Sequence, residues 1–96
     1  MKVRAKIELL SSEDGGRSQP LVGSFRPNHR FDQPYFVIGQ VEQREGAALH
    51  PGETAELTVD FISEGLAKLH PGVRWALYDG PTKLIGYGTV LEVLDE

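Results

Sequence analysis

Gly15-Gly16-Arg17-Ser18-Gln19-Pro20-Leu21-Val22-Gly23-Ser24-Phe25-Arg26-Pro27-Asn28-His29-Arg30-Phe31 is the stretch on which the fold turns. The paired glycines permit a tight turn with positive φ. Pro20 and Pro27 fix their own φ and push Gln19 and Arg26 towards extended backbone. No helix runs through such punctuation. The stretch is a long excursion that leaves one strand and enters the next, carrying Arg17, Arg26 and Arg30. Residues 25–31 are expected to pair as a short strand, with Pro27 at an edge or bulge.

Outward from it, the chain alternates. Upstream, Val3, Ala5, Ile7 and Leu9 take one face and Lys2, Arg4, Lys6 and Glu8 the other, the period of a half-buried strand. Residues 11–16 end that strand in turn chemistry. Downstream, residues 35–41 are aromatic and β-branched, so a strand is expected there. Residues 53–62 alternate again, with Ala55, Leu57, Val59 and Phe61 inward. The tetrapeptide Leu-His-Pro-Gly occurs twice, ending at Gly52 and at Gly72. Each copy is a type II turn candidate that starts a strand; their flanks differ, so this is no internal repeat. Residues 63–69 have room for one helical turn, and Gly65 and Pro71 preclude a long helix. Residues 73–78 form a strand with Trp75 as the largest core candidate. Asp79-Gly80-Pro81-Thr82 is a hairpin loop. The last strand covers 83–94, with Ile85, Tyr87, Leu91 and Val93 on one face. Gly86 and Gly88 fall on the other, where missing side chains allow a bend or close backbone approach. About six strands with turns between them make the chain all-β, an antiparallel barrel or sandwich.

Ninety-six residues make one domain, 1–96. Without cysteine there is no disulfide, thiolate metal site or thiol nucleophile. No apolar run reaches the ~20 residues needed to span a bilayer, and the N-terminal residues alternate charge with small apolar groups rather than forming a signal peptide. No membrane partner and a cytoplasmic location are expected. The formal net charge of −4 argues against a dedicated nucleic-acid binder. The charge is uneven, however: Lys2, Arg4, Lys6, Arg17, Arg26 and Arg30 crowd the first thirty residues, and the C-terminal end, Glu92 to Glu96, is acidic.

Catalytic constellations are absent. There is no Gly-x-x-x-x-Gly-Lys-Ser/Thr loop, and Gly86-x-Gly88 lies inside a strand, so no nucleotide, cofactor or GTP hydrolysis is expected. His29, His50 and His70 lack metal-ligand spacing. His50 and His70 precede Pro-Gly in exposed turns, and His29 with Arg30 reads as solvated surface. The candidate contacts to RNA or a partner are Arg17, Arg26, Asn28 and Arg30. Arg17 either meets phosphate or bonds carbonyls of its own loop; Arg26 before Pro27 has an architectural role. Trp75 and Tyr87 are assigned to the core.

Six motifs in order resemble the third, C-terminal domain of bacterial elongation factor Tu. Glu13-Asp14-Gly15-Gly16-Arg17, then Pro20, Gly23, Phe25-Arg26-Pro27 and Phe31, is similar to that domain's acidic-Gly-Gly-Arg loop and aromatic-Arg-Pro turn. Pro51-Gly52-Glu53, Glu56-Leu57-Thr58-Val59, Gly72-Val73-Arg74-Trp75-Ala76-Leu77 and Ile85-Gly86-Tyr87-Gly88-Thr89-Val90 are similar to its later strands, where the family has Phe at the place of Trp75. The resemblance spans residues 3–95. It implies a closed antiparallel barrel of about six strands, standing here as a freestanding domain without the GTPase. In the family this barrel meets the T-stem of aminoacyl-tRNA, the other two domains and the exchange factor. Arg17 matches the family's loop arginine. Ser18 stands where the family has His and Asn28 where it has Gln. No lysine is present near Ser63 until Lys68, and Gly80-Pro81 replaces a Gly-Gly pair. Two functions follow: a non-catalytic module that docks to protein, or an RNA-binding accessory that touches a tRNA stem around Arg17.

Overall fold

β1 (Lys2–Leu9) is hydrogen-bonded along both edges, to β6 (Thr54–Phe61) on one side and β8 (Lys83–Val93) on the other. Those two pairings close a sheet on itself. In the computed structural model, which describes residues 1–62 and 69–94, the remaining barrel strands are β3 (Asn28–Arg30), β4 (Val37–Glu42) and β7 (Arg74–Asp79). The strands follow in the order β1-β6-β4-β3-β7-β8, every neighbour antiparallel. Closure removes the exposed edges that an open sheet would leave. Of the barrel and the sandwich, the chain forms the barrel. A separate two-stranded sheet of β2 (Leu21–Val22) and β5 (Ala48–Leu49) lies outside it. The helical turn expected over 63–69 falls on positions outside the described residues, save Leu69.

Period two built the core as expected on β1 and β6. Val3, Ala5, Ile7, Val59 and Phe61 are buried, and Ala55 and Leu57 pack against them. On the outer face of the same strands charges pair. Arg4 reaches Glu56 at 2.8 Å and Glu92 at 3.3 Å, and Lys2 lies 3.7 Å from Glu42. The N-terminal cations therefore form an ion-pair ladder rather than a basic patch. Both Leu-His-Pro-Gly copies close the same turn. Glu53 N donates to His50 O at 3.0 Å and Val73 N to His70 O at 3.2 Å, with Gly52 and Gly72 at φ 88° and 97°.

The faces of β8 differ from simple alternation. Leu77 opposes Gly86 and Tyr78 opposes Leu84, so Ile85 is an extra residue against β7. Arg4 opposes Glu92 and Ala5 opposes Val90, so Leu91 is an extra residue against β1. Each such irregularity shifts the side-chain phase by one. Ile85, Gly86, Gly88 and Val90 are buried, while Tyr87 and Leu91 are only half-buried. Tyr87 is thus not a core residue. It lies on the outer face with the Arg74 guanidinium 3.9 Å from its ring centroid. Gly88 opposes Trp75, and a Cβ there would run into the indole.

Candidate functional site

Ser11 caps a short 3-10 turn (Ser12–Asp14), its hydroxyl accepting from Asp14 N, and Gly15 ends it at φ 88°. A Cβ on Gly16 would press on the Leu10 backbone, so the second glycine allows the loop to fold tightly over the end of β1. This geometry delivers Arg17 to the β7–β8 hairpin. Its Nη1 donates to Asp79 Oδ2 at 2.7 Å and its Nε to Gln19 O at 3.2 Å. Asn28, opposite Tyr78 in the β3–β7 pairing, donates from Nδ2 to Gly80 O at 2.9 Å. Two loop-borne side chains therefore fasten to one hairpin.

Between them lies a cleft of about 180 Å³ with Leu21, Phe25, Pro27, Tyr78 and Ile85 in its walls. Arg17, Arg26, Asn28 and Asp79 also line it. Arg26 is exposed and donates from Nε to Gln40 Oε1 at 3.1 Å, joining its turn to β4. The structure thus gathers Arg17, Arg26 and Asn28 at one cleft. Arg30 does not join them: it projects from the outer face of β3, 5.8 Å from the Phe36 ring centroid. Lys68 and the position near Ser63 lie outside the described residues. The cleft offers two guanidinium groups, one carboxylate and an apolar wall, an arrangement suited to contact rather than bond-breaking. Among the described residues no group of three or more His, Asp or Glu side chains could hold a metal ion.

His29 overturns its assignment to the solvated surface. It is fully buried inside the barrel. Trp75 Nε1 donates to His29 Nδ1 at 2.9 Å, so Nε2 carries the proton and donates to Gly39 O at 3.0 Å. Burial drives its pKa down to about 4, the Gly39 bond opposing that fall in part. Its ring meets Phe61 edge-on at 5.0 Å between centroids. The signal was its parity: residues 25, 27, 29 and 31 alternate, and Phe25 and Phe31 both pack on the core. His50 and His70 are exposed, as expected.

No protein-family model matches the chain. Elongation factor Tu 2 of Streptomyces avermitilis is 33% identical to it over 91 residues, which cover 95% of this chain and 22% of that protein. The chain therefore spans about a fifth of the length of this relative. What it resembles is a single elongation factor Tu-like domain, and its closed six-stranded antiparallel barrel is not a GTPase fold. Among the described residues, no helix is long and apolar enough to cross a membrane.

Proposed function

We propose that this elongation factor Tu-like barrel is a non-catalytic binding module, a single domain acting in the cytoplasm, that docks to a protein partner. The observation carrying this reading is the 2.7 Å ion pair between Arg17 and Asp79. Arg17 is the loop arginine that the RNA reading needs, and a phosphate must compete with a carboxylate already seated on it. The Asn28 amide is engaged by Gly80 in the same way. A net charge of −4 adds long-range repulsion against a phosphate backbone. The barrel binds no nucleotide in this reading, since nothing in the sequence cradles phosphates. The alternative, a tRNA-stem accessory, draws on one feature: Arg17 and Arg26 flank the same cleft.

Titration of the protein into fluorescently labelled tRNA at physiological salt separates the two. Little change in anisotropy, unaltered by Arg17→Ala, is expected. Submicromolar affinity that drops on Arg17→Ala would make the RNA reading primary.

A further inference from the structure

The outer face of β3, β7 and β8 differs from the rest of the barrel wall. Pairing places Arg30 opposite Ala76 and Ala76 opposite Tyr87, with Arg74 two residues before Ala76 on the same face. Ala76 is small, so Arg30, Arg74 and Tyr87 stand around an open depression of about 280 Å³. Both guanidinium groups are shelved on rings. Arg74 lies 3.9 Å from the Tyr87 centroid and Arg30 5.8 Å from that of Phe36, which in turn contacts Tyr78 at 5.4 Å. Stacking holds a guanidinium in place while leaving its N–H edge free to donate. Arg4 and Arg17 are neutralised by carboxylates; among the described residues Arg30 and Arg74 are in no ion pair. Asp32 also lines the depression without bridging to either. Beside them, Ile38 sits opposite Asn28 on the same face and is 58% exposed.

We propose that this face binds an extended acidic segment of a partner protein, its carboxylates clamped by Arg30 and Arg74 and its apolar side chains laid on Phe36, Tyr78 and Ile38. The inference rests on the protein-docking reading and gives that partner a chemistry. Arginine matches carboxylate with a planar fork, and two forks on neighbouring strands suit carboxylates on alternate residues of an extended chain. RNA is the poorer fit: it has no aliphatic side chains to lay on the exposed Ile38.

Backbone amide NMR tests this with three probes: a short peptide of alternating glutamate and leucine, its glutamine analogue, and a short oligouridylate. Saturable shift changes with the glutamate peptide are expected on residues 29–31, 36–38, 74–78 and 87–89. Affinity should fall about tenfold in Arg30→Gln/Arg74→Gln, both exposed side chains. Arg74→Lys should recover only part of it, because an ammonium lacks the planar fork. The proposal is overturned by an absence of shifts at millimolar peptide, by shifts centred on Arg17 and Arg26, by equal binding of the glutamine analogue, or by tighter binding of oligouridylate to the same residues. Failure with the peptide while tRNA stays unbound removes this inference alone; tRNA binding through Arg17 removes the reading beneath it.

Discussion

Trp75 and His29, on adjacent strands, form a buried donor–acceptor pair, with Trp75 Nε1 2.9 Å from His29 Nδ1. That bond accepts only a neutral imidazole. A proton on Nδ1 would set two N–H groups facing each other, away from water. Among the described residues, the hydrogen-bond and edge-on ring partners of His29 are Trp75, Gly39 and Phe61. An acidic side chain that would favour the charged form is not among them.

Stability should therefore depend on acid in a defined window. The His29 pKa is about 4 when folded, below its ordinary value of 6.5. Between those values the unfolded chain takes up a proton that the native barrel refuses, so stability falls as pH falls. The contribution is complete above about pH 6.5 and is lost by about pH 4, amounting to roughly 3 kcal/mol at most. Denaturant midpoints at pH 7 and pH 4.5 measure it. His29→Phe should flatten this part of the profile; an unchanged slope would mean that other groups carry the acid sensitivity.

Trp75 also anchors the core through its area. It is 2% exposed and contacts Phe31 at 5.3 Å and Phe61 at 5.5 Å between centroids. Trp75→Ala should cost roughly 3–5 kcal/mol. Trp75→Phe should cost less from packing but leave His29 Nδ1 without a donor, about 1–3 kcal/mol. The double variant His29→Phe/Trp75→Phe removes both halves of the polar pair. Its loss in urea denaturation should be smaller than the sum of the two single losses.

Gly86 and Gly88 should resist substitution for different reasons. A Cβ at Gly88 would lie 2.7 Å from Trp75 Cε2 and Cη2, and the buried indole has nowhere to turn. A Cβ at Gly86 would meet the Glu8 carbonyl on β1, where no side-chain rotation brings relief. Gly88→Ala should lower stability by about 1–3 kcal/mol through overpacking. Gly86→Ala should lower it at least as much, because it forces apart the β1–β8 seam that closes the barrel. Thermal melts of both variants check this ordering.

How much of this was legible follows from which rule governed each residue. Strict alternation on β1 and β6 identified Val3, Ala5, Ile7, Val59 and Phe61 as core, because nothing interrupts the pleat there. Tyr87 was misplaced because two extra residues, Ile85 and Leu91, shift the phase of β8. Bulges leave no mark in composition, so only the pairing register reveals them. His29 was misplaced because its polarity outweighed its parity; the indole that makes its burial tolerable sits 46 residues away. At the cleft, the loop arginine was visible but its partner was not. Asp79 reads as a hairpin residue, and only closure of the barrel brings Arg17 against it.

The Arg17–Asp79 pair finally makes a prediction about charge. Its side chains are 25% and 50% exposed, so the pair should contribute at most about 1 kcal/mol to stability. Asp79→Asn should lower the melting temperature by at most about 4–8 °C while freeing one guanidinium beside Arg26. If Asp79 is what blocks phosphate, this variant should bind labelled tRNA more tightly than the parent protein. Its affinity should also gain a steeper salt dependence, by about 0.7–0.9 log units per log unit of salt, the share of one added phosphate contact. Arg17→Ala placed in the Asp79→Asn background should abolish that gain. An Asp79→Asn protein that binds tRNA no better than its parent would show that the carboxylate is not the barrier, leaving the overall charge and the shape of the cleft to exclude RNA.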